Sequence, residues 1–354
     1  MKKKRVKSAY WKQRFEMLEK AEHNKSVETY NAIVPAFDKA QRNIQGQINA
    51  WVARYAENNQ ITITEARKQL STLELKEFKW DVKEYIKYGR KNALDQRWMK
   101  ELENASARVH ISRLEALRVR IQQECEIAYG NELDNVDDMM HHVFTDTYYH
   151  TCFEIQKGFQ LGFRIGELND SQIQKIIHKP WASDGKTFSE RIWSSKTQMT
   201  AELQQQLLRQ CALGKSPDEA IKAMERFVDN KFKNTRYQAA RLVQTEQAFI
   251  ASAAQTEAFE FLDVEEYEIV ATLDSHTSEI CQSMDGLHFP LKQKEIGSNA
   301  PPFHPNCRTT TVPYFDDEWS GGERAARDEE TGKTVYVSSR LKYADWYNKF
   351  VKKQ

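Results

Sequence analysis

Cys281, His304 and Cys307 are the residues of this chain whose types and spacing best fit metal chemistry. They lie in the stretch from Ala271 to Pro313, which holds two cysteines, three histidines, five prolines and two glycines. Cysteine and histidine are the usual zinc ligands, and a separation of three residues lets His304 and Cys307 reach one ion. Proline and glycine hold a backbone on a fixed irregular path. This composition predicts a rigid segment that binds zinc.

A structural zinc site needs four ligands, so the sequence must supply one more. Asp274 and His276 are the candidates for the fourth ligand. In an alternative interpretation, Asp274 pairs with Arg308, His304 hydrogen-bonds a backbone carbonyl, and the two thiols are buried without a metal. The residues alone leave both interpretations open.

The overall composition limits the classes of protein to which the chain can belong. It has 354 residues with 52 Lys+Arg against 51 Asp+Glu, and its mean hydropathy is −0.75. Such a balanced charge argues against a protein whose main task is to coat nucleic acid. There is no apolar run of about 18 residues, so no transmembrane helix is predicted. The five scattered cysteines form no disulfide framework and indicate a reducing compartment such as a cytosol.

Apolar residues recur at three- and four-residue steps through most of the chain, which predicts long helices. One helix is predicted from Ser8 to Tyr55 with a break or kink at Pro35, and an extended helix from Asp95 to Tyr129. Another helix is predicted to begin at Pro217 with Ser216 as its N-cap. The helical region is expected to cover residues 1–235, as two sub-bundles with a break near 178–187.

The pattern changes after residue 235. Tyr267, Ile269, Ala271 and Leu273 alternate with other side chains, which predicts a strand. The predicted fold class is therefore mainly α, with a long helical N-terminal region followed by a small α+β domain at 236–315. In the C-terminal extension, 316–354, a short charged helix is predicted at Glu323–Glu329 and a closing amphipathic helix at Lys342–Lys352.

An ordered set of motifs between residues 236 and 313 resembles the phage head-morphogenesis family, the Mu F-like minor head proteins. The motifs are Arg241-x3-Thr245-Glu246, Thr272-Leu273-Asp274, Cys281, Asp285-Gly286, and Pro301-Pro302-x-His304-Pro305-Asn306-Cys307-Arg308. The family commonly carries Cys-x2-Cys and later Cys-Arg-Cys. Here Met284 and Thr309 take the second position of each motif, so two thiols are missing together.

The resemblance implies a minor capsid protein of a tailed phage or prophage. Such proteins associate with the portal and with other capsid or scaffold proteins, and they assist head assembly, DNA packaging or DNA delivery. The implied location is the interior of the phage head, and the host cytoplasm during assembly. Non-specific DNA contact would use basic residues, namely Lys2, Lys3, Lys4, Arg5, Lys7, Lys292 and Lys294.

An enzyme is the alternative class that the residues suggest. A metal-dependent nuclease or a toxin-like effector would use Cys281, His304 and Cys307 to hold a catalytic metal. Such a centre needs an open coordination position and a general base, for which Glu279 and Glu295 are the nearest candidates. No motif surrounds either glutamate. The sequence therefore favours a structural protein over an enzyme.

Overall fold

The computed structural model describes residues 8–56, 60–91, 102–105, 107–108, 110–159, 168–315, 323–327 and 334–338. Most of these residues are helical, which confirms the predicted fold class. The helices are α1 (Ser8–Tyr55), α2 (Ile63–Arg67), α3 (Thr72–Lys91), α4 (Arg113–Phe159), α5 (Asp170–Ile177), α6 (Phe188–Ala212) and α7 (Pro217–Phe261). Among the described residues, none of these helices combines the length and the apolar character that a membrane span requires.

A small antiparallel sheet follows α7. Its central strand is β1 (Glu266–Val270), which pairs with β2 (His288–Pro290) on one side and β3 (Thr310–Tyr314) on the other. Tyr267 defines the register of both pairings, since it lies opposite Phe289 in β2 and Pro313 in β3. The short helix α8 (Glu279–Met284) lies between β1 and β2 in sequence. This arrangement confirms the predicted α+β region after the long helices.

The chain forms two compact units. The first contains residues 1–30, 136–188 and 240–354, and the second contains 31–135 and 189–239. The three longest helices, α1, α4 and α7, contribute residues to both units. The domain boundaries predicted at residues 235 and 315 follow the extent of the sequence motifs. They stay a prediction.

Helix α1 continues through Pro35, so the predicted break at this residue is wrong. Proline removes one backbone N–H and so releases the carbonyl group four residues earlier, that of Asn31. Both Pro35 and Asn31 are exposed, which lets water donate a hydrogen bond to the released carbonyl oxygen. Ile33 and Phe37 are fully buried on the other face of the helix. Packing on that face holds the helix together across the proline.

Residues 102–105 and 107 are helical, but residues 108 and 110–112 are not, and α4 begins at Arg113. The prediction of one uninterrupted helix from Asp95 to Tyr129 is therefore wrong. Residues 92–101 lie outside the described residues. Ser112 and Glu115 form a capping box: the Glu115 carboxylate accepts the Ser112 N–H at 2.8 Å, and Ser112 Oγ accepts the Glu115 N–H at 3.3 Å. This reciprocal pair satisfies N–H groups at the start of α4 and fixes where it begins.

The segment 323–327 is a strand, so the predicted charged helix at Glu323–Glu329 is wrong. β4 (Glu323–Arg327) pairs in antiparallel register with β5 (Thr334–Ser338). Each strand obtains its backbone hydrogen bonds from the other, a pairing that helical periodicity in one short charged segment cannot reveal. The predicted closing helix at Lys342–Lys352 lies outside the described residues.

Glu132 of α4 is a buried carboxyl group in the second unit. Burial raises the pKa of Glu132 from 4.5 to about 8. Between these two pH values the folded chain keeps a proton that the unfolded chain has lost. Stability therefore falls as the pH rises through this window.

We predict that Glu132→Gln increases the free energy of unfolding at pH 8, because a neutral amide replaces a group that the fold holds protonated. Each pH unit between the two pKa values costs about 1.4 kcal/mol, so the gain is on the order of a few kcal/mol. Urea unfolding from pH 5 to pH 8 measures this gain, which should disappear at the acid end. The exposed Glu295→Gln is the control, and equal effects of the two variants would contradict the prediction.

Candidate metal centre

The three predicted ligands come from two segments that the sheet holds in place. Cys281 is the third residue of α8, and its N–H is accepted by the N-cap Ser278 Oγ at 3.4 Å. His304 and Cys307 lie in the loop that leads into β3. Because β1 precedes α8 and pairs directly with β3, the sheet brings the two segments to the same place.

Cys281, His304 and Cys307 form a compact group, called here the thiol–imidazole cluster. The distance from Cys281 Sγ to His304 Nε2 is 3.1 Å, and that from Cys281 Sγ to Cys307 Sγ is 3.7 Å. All three ligand atoms lie within 4.8 Å of one another, and within the described part of the chain no other group of this kind is found. The two thiols are buried and the imidazole is partly exposed.

The imidazole of His304 is oriented by its own loop. Nδ1 lies 2.8 Å from the carbonyl oxygen of Pro305, so this nitrogen carries the proton and donates it. Nε2 then faces the sulfur of Cys281. Metal-binding histidines usually donate their second ring N–H in this way, which fixes the tautomer and the ring orientation.

The two thiols ionise as a coupled pair. The pKa of Cys307 lies below its ordinary value because Cys281 donates a hydrogen bond to it, and the backbone N–H groups of Phe303 and Thr309 add to this effect. The pKa of Cys281 is raised because its proton serves the bond to Cys307 and because it is buried. The lowered pKa favours the thiolate form of Cys307, and a thiolate is the form of cysteine that binds metals.

Asp274, one of the two candidates for the fourth ligand, forms a salt bridge with Arg308. Oδ2 accepts from Arg308 Nη1, and Oδ1 accepts from Nη2 at 2.8 Å. The carboxylate also accepts the backbone N–H of His276 at 3.0 Å. Burial by itself raises the pKa of Asp274, but the hydrogen bonds and charge of Arg308 outweigh it and leave this pKa below its usual value.

The structure thus brings together the three predicted Cys and His ligands, whereas the Asp274 carboxylate is engaged in a salt bridge with Arg308. His276, the other candidate for the fourth position, is exposed. The pairing of Asp274 with Arg308 and the bond from His304 to a backbone carbonyl both match the metal-free interpretation. Both features are equally compatible with a three-residue metal site, so metal binding stays a prediction.

Thr245 anchors the loop that carries His304 and Cys307, called here the cluster loop, to helix α7. Its hydroxyl donates to the carbonyl of Arg241 at 2.6 Å and accepts the backbone N–H of Asn306 at 3.2 Å. Asn306 has a positive φ of 59°, a conformation that asparagine tolerates better than most residues. The hydroxyl of Thr245 therefore holds the turn that returns the chain from His304 to Cys307.

We predict that Thr245→Val, which keeps the shape of the side chain and removes the hydroxyl, destabilises the loop by about 0.5–1.5 kcal/mol. Amide hydrogen exchange of residues 303–309 should become faster. Thr256→Val is a matched control on the same helix, because Thr256 makes the same bond to the carbonyl four residues earlier, that of Ser252. An equal change of exchange in both variants would show that the loop does not depend on Thr245.

Glu246, the neighbour of Thr245, is buried and accepts a hydrogen bond from Trp181 Nε1 at 2.8 Å. Trp181 also stacks on Phe249, with ring centroids 4.7 Å apart. These contacts tie the segment around Trp181 to α7. Arg241, the first residue of this motif, is exposed.

The other motif residues fix the backbone between β1 and β3. Asp285 Oδ1 accepts the Ala271 N–H at 2.9 Å, which joins the end of α8 to the end of β1. Gly286 has φ 77°, and its N–H donates to the carbonyl of Ile269 at 2.8 Å. The Pro301–Pro302 bond is cis, and both prolines are buried. All of these features hold the backbone of this region in place, which is a structural role.

Glu19 of α1 is a neighbour of the cluster that the sequence gives no reason to select. It lines a cavity of about 20 Å³ together with Cys307 and Thr309. Burial raises the pKa of Glu19 to about 8, although the charge of Arg308 opposes the shift. Its long separation from the motif residues in the sequence explains why local pattern analysis misses it.

Lys294 is only partly exposed, and its ammonium group contacts other groups of the chain. The DNA contact suggested for it stays a prediction. The Nζ of Lys294 donates to the carbonyl of Ser252 at 3.3 Å and lies 5.2 Å from the ring centroid of Tyr267. Burial lowers its pKa to about 7. Lys292, in contrast, is exposed.

The chain belongs to the class of mainly helical proteins with a compact C-terminal α+β region. Its long helices are followed by a small sheet and by a motif segment whose contacts are structural. Residues 201–312, called here the Mu F-like segment, match the family model described as Phage Mu protein F like protein. The match begins in α6 and ends in β3, so it includes every motif residue discussed above. No curated protein and no solved structure matches the chain.

Proposed function

We propose that this chain is a minor head protein of a tailed phage or prophage, that it associates with the portal, and that it assists head assembly, DNA packaging or DNA delivery. The observation that carries the proposal is the match of residues 201–312 to the Phage Mu protein F like family. The proposed location is the phage head, reached from the host cytoplasm during assembly. Other capsid or scaffold proteins are further partners in this proposal.

The contacts of the motif residues support a structural role. Thr245 holds the cluster loop, Asp285 joins α8 to β1, and Arg308 neutralises the buried Asp274. A catalytic constellation would instead direct polar groups at a position where a substrate can bind. The long helices provide extended faces of the kind that partner helices recognise.

Co-expression with the portal protein of the same phage or prophage tests the proposal. The tagged full chain should co-purify with the portal, and procapsids assembled in its presence should contain it. The major capsid protein expressed without the portal is the control for non-specific capture. The proposal fails if the chain binds neither portal nor procapsid and if heads of normal shape and DNA content form without it.

A metal-dependent nuclease is the second candidate, because the thiol–imidazole cluster has the donor types of a metal site. Its two sulfur ligands are soft and select zinc rather than the Mg²⁺ or Mn²⁺ that carboxylate-rich sites hold. Incubation of duplex and single-stranded DNA with the chain and Zn²⁺, Mg²⁺ or Mn²⁺ distinguishes the two functions. Cleavage that His304→Ala abolishes would overturn the structural role.

A further inference from the structure

We propose that Cys281 Sγ, Cys307 Sγ and His304 Nε2 bind one Zn²⁺ ion, and that a water molecule fills the fourth position. The site lies between α8 and the loop before β3. A zinc ion there links two segments that are far apart in sequence. The proposal concerns metal binding alone and does not depend on the phage role.

The distances between the ligand atoms fit a tetrahedral zinc ion. With Zn–S bonds of about 2.3 Å, tetrahedral geometry places two sulfur ligands about 3.8 Å apart. The observed distance from Cys281 Sγ to Cys307 Sγ is 3.7 Å. With a Zn–N bond of about 2.0–2.1 Å, the expected S···N distance is about 3.6 Å. The observed distance from Cys281 Sγ to His304 Nε2 is 3.1 Å, so a small shift of the partly exposed ring is enough.

The surroundings of the cluster suit zinc better than a hard cation. The two thiols are 2% and 4% exposed and pack with Ala271 and Phe303, so the sulfur atoms lie in an apolar shell. Two thiolates and a neutral imidazole balance the charge of Zn²⁺ without a further anion. Sulfur and imidazole ligands favour zinc, whereas Mg²⁺ and Ca²⁺ require oxygen ligands.

The orientation of His304 is the second geometric argument. If the two thiols were only buried apolar groups, the imidazole would have no need to face them. Instead, the bond from Nδ1 to the Pro305 carbonyl leaves the Nε2 lone pair directed at the sulfur of Cys281. Pro305 follows His304 directly, and Thr245 holds Asn306, so this orientation is built into the loop.

Water is assigned to the fourth position because Asp274, the predicted carboxylate ligand, is committed elsewhere. Both oxygen atoms of Asp274 accept hydrogen bonds from Arg308. Recruiting Asp274 to a metal would leave the Arg308 guanidinium without its charge partner, which is unfavourable. The partly exposed edge of His304 gives solvent access to the cluster.

Metal analysis of the full chain, purified without chelator and with excess reductant, tests the proposal. The expected result is about one Zn²⁺ per chain, and a Co²⁺-substituted chain should show the absorption bands of a tetrahedral site with thiolate ligands. Cys281→Ser, Cys307→Ser and His304→Ala should each lose the metal. His304→Cys should keep it, because a third thiolate restores the donor count.

Matched controls separate the site from other cysteines and histidines. Cys211→Ser removes another buried thiol, and His288→Ala removes an exposed imidazole, so both variants should keep a full complement of zinc. If a ligand variant does not fold, the Co²⁺ spectrum of the otherwise unchanged Cys211→Ser chain decides the question. Absence of thiolate–cobalt bands in that chain, or zinc content that is the same in the three ligand variants, would overturn the proposal.

Discussion

Replacing Arg308 by glutamine is expected to lower the free energy of unfolding of the first unit by about 3–5 kcal/mol. The side chain of Asp274 is 4% exposed, and both of its oxygens accept hydrogen bonds from the guanidinium of Arg308. A glutamine at position 308 leaves this buried carboxylate without a charge partner. Amide hydrogen exchange of β1 and β3 measures the change locally, so the behaviour of the second unit does not interfere.

Arg54→Gln is the matched control for the loss of an arginine ion pair. Arg54 and Glu77 form a pair at 3.0 Å in which the two side chains are 47% and 45% exposed. Such exposed pairs contribute about 0.2–1 kcal/mol, because water screens them. The double variant Asp274→Asn/Arg308→Gln should regain part of the stability lost in Arg308→Gln, since no charge is then buried alone. Equal losses in Arg308→Gln and Arg54→Gln would contradict a buried role for this pair.

The same salt bridge predicts a pH dependence. Because the pKa of Asp274 is lower in the folded chain than in the unfolded chain, its contribution is complete above the unfolded pKa. The contribution is lost as the pH falls through the folded pKa. The difference in stability between the parent chain and Arg308→Gln should therefore shrink in acid, and a difference that does not depend on pH would argue against it.

Helix positions were predictable where a local signal marks the start. Ser216 caps α7 as predicted: its backbone N–H donates to the Glu219 carboxylate, and its Oγ accepts the Glu219 N–H. Ser71 with Glu74 and Ser112 with Glu115 form the same box at the starts of α3 and α4. The Ser-x-x-Glu pattern at 112 is therefore sufficient to place the start of α4.

Local sequence patterns do not predict the structure where a partner distant in sequence decides it. Pro35 stays inside α1 because the opposite face of the helix is packed, and β4 exists because β5 pairs with it. Neither the packing nor the pairing is visible in a window of a few neighbouring residues. In both cases tertiary contacts override the local preference of the segment.

The candidate metal site was also predictable from local sequence only in part. Residue type and spacing were sufficient to select Cys281, His304 and Cys307, because metal ligands form a small and recognisable set. The assignment of Asp274 required knowledge of its partner, since a carboxylate near a cluster serves equally well as a ligand or as half of a salt bridge. Glu19 reaches the cluster from α1, and only the fold reveals this.

The core around the sheet also extends beyond the motif region. Trp11 and Phe15 of α1 and Ile155 of α4 are buried in one cluster with Phe259 and Tyr267. Lys12, next to Trp11, forms a buried ion pair with Glu268 of β1 at 2.6 Å. The family match covers residues 201–312 and so leaves out α1 and α4. We infer that the Mu F-like segment needs α1 to complete its core.

We predict that Trp11→Ala destabilises the first unit by about 3–5 kcal/mol, because it removes a large buried side chain and leaves a cavity. Trp11 is 2% exposed, and its ring centroid lies 6.0 Å from that of Phe315. The amides of β1, far from residue 11 in sequence, should lose most of their protection from hydrogen exchange. Loss of protection restricted to the first turns of α1 would instead mean that the sheet folds independently of this helix.

Trp80→Ala is the control, since Trp80 is 65% exposed and its removal should change stability by less than about 0.5 kcal/mol. The Lys12–Glu268 pair gives an independent measure of the same dependence. Lys12→Met leaves Glu268 buried without its partner and should also weaken protection of β1. If both Trp11→Ala and Lys12→Met expose β1 while Trp80→Ala does not, the sheet and its thiol–imidazole cluster depend on a helix that begins near residue 8. The boundary of the folded domain then differs from the boundary of the sequence motif.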